Sequence, residues 1–305
     1  MKATLAFSLA AALLLAGTAH AQQAAQDQPV QDQPKGDLVP PTSASDFTAS
    51  QLDTVLAGSW RSAANKARDV YRHPKATLQF FGLQPDQTVI EITPGAGWYA
   101  QVLAPLLRDN GHYIAAVADN NAEAKQDVAA LRKEFAGDSA QFGKAAIVTF
   151  NPQSPVFGPA GSADMVLTFR NVHNWAMAGT APAMFKAFYA VLKPGGVLGV
   201  VDHRAATGAT LDAVKASGYL PTAYVIKLAT DAGFKLDAQS EINANPKDTK
   251  DYPKGVWTLP PTLALGDQDR AKYQAIGESD RMTLRFVKPA ASGAPAASSS
   301  SAASH

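Results

Sequence analysis

Four short segments carry the side chains able to do chemistry. The first, Thr88-Val-Ile-Glu-Ile-Thr-Pro-Gly-Ala-Gly-Trp-Tyr-Ala100, passes from an apolar β-type run through an acid, Glu91, into a turn holding Gly95 and Gly97. Glycine lets the backbone turn sharply and lets a ligand approach where a Cβ would stand. A helix beginning after such a turn aims free N–H groups and its dipole at that ligand. The second is Asp119, about twenty residues beyond the glycines, where a carboxylate can accept both hydroxyls of a ribose. Asp119-Asn-Asn-Ala122 is also a helix-opening sequence. The third, Phe169-Arg-Asn-Val-His-Asn-Trp175, reads as a polar loop with donors, acceptors and one base, His173. The fourth, Asp202-His203-Arg204, gives a second imidazole that can act as acid or base. Two histidines and an acid are also metal-ligand types, but no tight ligand spacing supports a metal and none is expected.

These residues need a scaffold, and the pattern supplies an α/β one. Strands are expected at 88–92, 113–118, 145–150, 164–169, 197–202, 234–242 and 282–288. Helices are expected at 52–71, 97–108, 122–135, 181–192 and 223–232. Lys193-Pro-Gly-Gly196 is a breaker and turn, and Pro74 closes the first helix. Strands joined by helical crossovers predict a Rossmann-like, seven-stranded, mostly parallel sheet with helices on both faces. The last two strands lack a helical crossover, so the final strand is expected to run antiparallel. Glu91, Asp119, His173 and His203 then gather at the carboxyl edge of the sheet, where open α/β sheets bind ligands.

The chain of 305 residues has a net charge of +1 and 17% charged residues, with no basic stripe for nucleic acid. Lys2, an apolar run over 4–17 and Ala19-His-Ala21 form a secretory signal pattern, too short to span a bilayer comfortably. Cleavage after Ala21 is expected, with a secreted or periplasmic mature chain and no stable membrane insertion. The absence of cysteine excludes disulfides and thiol catalysis. Residues 22–45 read as a disordered linker and 289–305 as a disordered Ala/Ser-rich tail. One domain is expected over 46–288.

With these residues in hand, the chain resembles the class I S-adenosylmethionine-dependent methyltransferases over about 88–288. The acid–glycine turn, Asp119, Asp164-Met-Val-Leu-Thr-Phe169, Leu192-Lys-Pro-Gly-Gly196 and the terminal strand pair carry the resemblance. It is similar to a subgroup of predicted secreted methyltransferases through Arg68-Asp-Val-Tyr-Arg-His-Pro74, Phe80-Phe-Gly82, the 169–175 and 202–204 segments, and Gly277-Glu-Ser-Asp-Arg-Met282. The usual turn is acid-x-Gly-x-Gly-x-Gly. Here Thr93 stands at the first glycine and Pro94 follows, which removes one N–H and stiffens the turn.

The resemblance implies methyl transfer from S-adenosylmethionine to a small molecule. Glu91, Thr93, Gly95, Gly97, Asp119 and Asn171 are then expected at the cofactor, with Glu91 organising its ammonium and Asp119 on its ribose. Tyr99, Arg170, Asn174, Trp175 and Arg204 are expected at the substrate, and His173 and His203 at the chemistry. Opposite charges in 68–73 and 278–281 suggest that these segments pair. Two other readings stay open: an exported, non-catalytic binding module of the same fold, and an NAD(P)-dependent oxidoreductase. The latter is suggested by G-x-G-x-x-A over 95–100 and opposed by Glu91, Pro94 and the antiparallel last strand.

Overall fold

The strands of the computed structural model alternate their side chains between two apolar layers. In β1 (Thr88–Ile92), Val89 enters one layer and Ile90 and Ile92 the other. The same period of two runs through β2 (His112–Ala118), β3 (Ala146–Phe150), β4 (Ala163–Phe169) and β5 (Leu192–His203). With β6 (Lys235–Ser240) and β7 (Arg281–Val287) they form one seven-stranded sheet in the order β3-β2-β1-β4-β5-β7-β6. The first five strands are parallel; β7 inserts antiparallel between β5 and β6. The structure describes residues 46–119 and 121–290, all within one compact unit. The expected signal segment, the whole linker and most of the tail lie outside the described residues. Among the described residues, no helix is long and apolar enough to cross a membrane.

Eight helices of seven or more residues are described: α1 (Asp46–Ala57), α2 (Pro74–Phe81), α3 (Ala100–Leu107), α4 (Ala122–Gly137), α5 (Val172–Ala178), α6 (Ala181–Val191), α7 (Thr222–Asp231) and α8 (Arg270–Ile276). Leu52, Leu78, Phe81, Leu103 and Leu131 cover one face of the sheet, from α1 to α4. Trp175, Phe185, Phe188 and Leu228, from α5 to α7, cover the other. Full burial of each such side chain is worth about 1.5–3 kcal/mol. Gly199 in β5 admits α2: a Cβ there would stand 2.8 Å from the Phe81 ring and 2.7 Å from Leu167.

Three expectations about local structure change. The helix after the glycine turn begins at Ala100 rather than 97, because Gly95 and Gly97 hold φ at +56° and +78°. The segment after β4 is helix α5, not a loop. Asp202 of β5 caps this helix from outside: its Oδ2 accepts from Val172 N at 2.7 Å and His173 N at 3.3 Å. Gly179 at φ +71° ends it. A cap from a distant strand leaves no local sequence signal. The strand expected at 197–202 also starts earlier, at Leu192, which pairs with Ala163 of β4.

Candidate active site

The β1 turn opens on one side. A Cβ built on Gly95 meets nothing within 4 Å, whereas one on Gly97 would meet Glu134 Oε2 at 2.9 Å and Leu131 at 3.1 Å. Gly95 therefore faces free space, and Gly97 lets α4 approach. Thr93 keeps the left-handed φ, +51°, that glycine adopts freely, and its N–H donates to Ala116 O at 2.7 Å. A β-branched residue is strained there by about 1–3 kcal/mol, and such strain gathers at ligand sites. Asp119 ends β2 with an exposed side chain. Asn171 ties the ends of β4 and β1, donating from Nδ2 to Ile92 O at 3.0 Å and Thr93 O at 3.3 Å.

Glu91 is turned into the core. It accepts from the Tyr113 hydroxyl at 2.6 Å, and burial pushes its carboxyl up to about 7, against the opposing pull of Tyr113 and Arg72. The raised value means that the folded chain holds this proton more tightly than the unfolded chain. The stabilisation is full below the ordinary 4.5 and is lost as pH rises through about 7. Glu91→Gln should flatten that fall, which amounts to roughly 3 kcal/mol between pH 4 and 8. Urea unfolding of both proteins across this range checks it; parallel curves would contradict the assignment.

A cavity of about 210 Å³ lies at the carboxyl ends of β4 and β5. Arg170, His173, Asn174 and His203, four residues the sequence singled out, line it together with Trp257 and Pro260. The two imidazole centroids are 4.9 Å apart. His173 Nδ1 lies 2.9 Å from Asp202 Oδ1, and His203 Nδ1 lies 2.6 Å from Ser279 Oγ. A carboxylate at Nδ1 keeps the proton on that nitrogen and leaves Nε2 as the acceptor. His173 Nε2 has no partner among the described residues. Burial holds His203 well below its ordinary value, reinforced by His173, Arg170, Arg281 and Arg72, so it stays neutral.

His173, Asp202 and His203 bring three ligand-type atoms within 4.8 Å of one another. Their chemistry does not suit a cation. Asp202 already accepts four hydrogen bonds, from Val172 N, His173 N, His173 Nδ1 and His203 N. The surrounding guanidiniums add positive charge.

Beside the cavity, Glu278 gathers arginines, as the charge signs of the two segments suggest. Arg68 Nε donates to it at 2.6 Å, Arg281 Nη1 at 3.2 Å and Arg72 Nε at 3.3 Å. Burial alone would raise its carboxyl, but Arg72, Arg281, Arg68 and Arg170 bring it down to about 2.

Three residues expected at the substrate stand elsewhere. Tyr99 is buried and stacks on Phe169 with centroids 3.6 Å apart. Trp175 packs against Phe188. Arg204 forks to Glu241 and to Asp280. The sequence reading missed Val256, Trp257, Pro260, Pro261 and Thr262 of the cavity wall; Ser279, also in it, belongs to a segment it did single out. All come from the long β6–β7 connection, and its length was the available signal, since such loops in compact domains are usually functional.

Neither a protein-family model nor a curated protein sequence matches the chain. Solved structures do. The [4+2]-cyclase SpnF superposes with a TM-score of 0.52 at 16% identity, over 81% of this chain and 94% of that one. The likeness is one of fold, a seven-stranded, mostly parallel sheet with an antiparallel last strand. Other similar structures include a SAM-dependent methyltransferase from Aquifex aeolicus, with a TM-score of 0.48 at 15% identity, over 79% of this chain and 98% of that one. Human N-acetylserotonin methyltransferase in complex with SAM gives 0.45 at 14% identity, over 79% and 56%.

Proposed function

We propose that this chain is an S-adenosylmethionine-dependent methyltransferase acting on a small molecule. The observation that carries the reading is the juxtaposition at one sheet edge. The open Gly95 turn ends β1, and an Asp202-oriented imidazole opens on a cavity at the end of the adjacent strand β4. The Gly95 turn fits a cofactor because a Cβ would fill free space there, and Asp119 at the end of β2 suits ribose hydroxyls. When bound, S-adenosylmethionine supplies an electrophilic methyl group.

The chain's own part is alignment, exclusion of water and proton transfer. Asn174 and Arg170 orient the acceptor. His173 Nε2 receives the acceptor's proton, while the Asp202 carboxylate holds the ring by Nδ1 and supports the imidazolium. Neutral His203 beside it adds no repelling charge.

A non-catalytic binding module is the second reading. It is favoured by Asn171, whose amide already occupies the Ile92 and Thr93 carbonyls that a cofactor ammonium would use. Calorimetric titration of S-adenosylhomocysteine and of NAD separates the readings. The methyltransferase reading expects saturable binding of the first and none of the second. No binding of S-adenosylhomocysteine would leave the module; binding of NAD alone would favour the oxidoreductase.

The same proposal places the protein outside the cytoplasm, on the strength of Lys2, the apolar run and Ala19-His-Ala21. Amino-terminal sequencing of exported protein is expected to begin at Gln22; an intact Met1 would overturn this.

A further inference from the structure

We infer that the acceptor carries an oxyanion, a carboxylate or phosphate group, and that Arg170 holds it at the inner wall of the cavity. This deepens the methyltransferase reading and rests on it for the nature of the acceptor. Arg170 follows β4 with φ at +62°, a left-handed conformation in a residue that is not glycine. Its N–H donates to Val201 O at 2.7 Å, which fixes the backbone there. Strained residues of this kind recur at ligand clamps.

The side chain is the stronger observation. Arg170 lines the main cavity and also a second, water-sized space of about 10 Å³ shared with Arg72, Asn243 and Arg281. Among the described residues its guanidinium makes neither a hydrogen bond nor an ion pair. A half-buried cation with five unused donors is costly unless something pairs with it.

The nearby carboxylates are already committed. Glu278 serves Arg68, Arg72 and Arg281, and Asp202 serves α5 and the two histidines. Arg68 Nη2 and Arg72 Nη2 are buried without a hydrogen-bond partner among the described residues. Four guanidiniums thus surround one glutamate, and His203 contributes no negative charge. This field repels a metal cation and attracts an anion. The planar fork of arginine matches carboxylate and phosphate oxygens two at a time.

The rest of the cavity fixes the kind of molecule. Trp257, Pro260 and Pro261 also line the cavity and offer an apolar surface beside its polar groups. A volume of about 210 Å³ admits a small molecule rather than a polymer segment. His173 lines the same space, and on the methyltransferase reading the nucleophile is a group that gives up a proton to it. Together these describe a small hydroxyl-bearing carboxylate or phosphate ester.

The test titrates potassium benzoate and inorganic phosphate into the full chain and follows melting temperature, with ionic strength held constant by potassium chloride. The wild type is expected to show a saturable rise with at least one of the two, and benzyl alcohol none. Arg170→Gln is expected to weaken that binding by roughly tenfold or more, with Arg170→Lys between them. No saturable rise in the wild type, or an Arg170→Gln affinity within about twofold of it, overturns the proposal. If the glutamine variant does not fold, Arg170→Met, which also removes the charge, decides by the same limit.

S-adenosylhomocysteine distinguishes the two sources of an oxyanion. Unchanged affinity for it in the Arg170 variants assigns the site to the acceptor. Loss of that affinity assigns Arg170 to the cofactor's own carboxylate and overturns the proposal. A wild type that binds benzoate or phosphate through Arg170 but no S-adenosylhomocysteine keeps the oxyanion site and removes the methyl-transfer reading alone.

Discussion

Replacing His173 with alanine is expected to lower the turnover number by roughly 10²–10⁴, the usual worth of a positioned base. The readout is S-adenosylhomocysteine release with an accepted substrate. Affinity for S-adenosylhomocysteine should stay within about threefold, because the ring faces the acceptor cavity and not the β1 turn. The substitution also has a structural side. His173 Nδ1 is one of four donors to Asp202, and losing it leaves three. A hydrogen bond to a charged group is worth about 1.5–3 kcal/mol, so the variant should melt earlier yet still fold. The pH profile separates the two effects. Loss of a base removes the acidic limb of the turnover profile, whereas loosened packing leaves its shape. Turnover close to the wild-type value would take proton transfer away from His173 and leave catalysis to alignment alone.

Glu278→Ala should be the most damaging single change for stability, at about 3–5 kcal/mol. The carboxylate is 3% exposed and is shared by Arg68, Arg72 and Arg281. Removing it leaves the buried guanidiniums of Arg72 and Arg281 without the carboxylate they share. Burial would raise this carboxyl, but the arginines outweigh it and hold it near 2. Its contribution is therefore present above the ordinary 4.5 and lost as pH falls through about 2. Glu91 has the opposite sign: its contribution is lost as pH rises through about 7. Denaturant unfolding at pH 5 and at pH 3 measures the Glu278 term. A difference between wild type and variant below about 0.5 kcal/mol at pH 5 would show that the arginines are neutralised by something else.

Much of the frame was legible because it is local. Short apolar runs mark β1 to β5, and the Gly95–Gly97 turn marks the end of β1. Opposite charges in 68–73 and 278–281 forecast the Glu278 cluster. The parts that escaped depend on contacts far apart in sequence. Helix α5 was read as a loop because its cap, Asp202, sits 30 residues beyond Val172. Tyr99 and Trp175 look like pocket walls in a polar setting, but their rings pack on Phe169 and Phe188. Arg204 looks free until β7 and the segment after β6 bring Asp280 and Glu241 to it. The Trp257 wall carries no motif; only the long connection between β6 and β7 hints at it.

The most direct test of methyl transfer at the Gly95 edge is calorimetric titration of S-adenosylhomocysteine into the wild-type chain and into Gly95→Asn. Asparagine tolerates a positive φ better than other residues, so the free protein should fold. Its side chain would occupy the open space above the turn, where no atom lies within 4 Å of a Cβ. The account predicts one saturable site in the wild type and a loss of at least about tenfold in the folded variant. Absence of binding to the wild type, or equal affinity in both proteins, would contradict it.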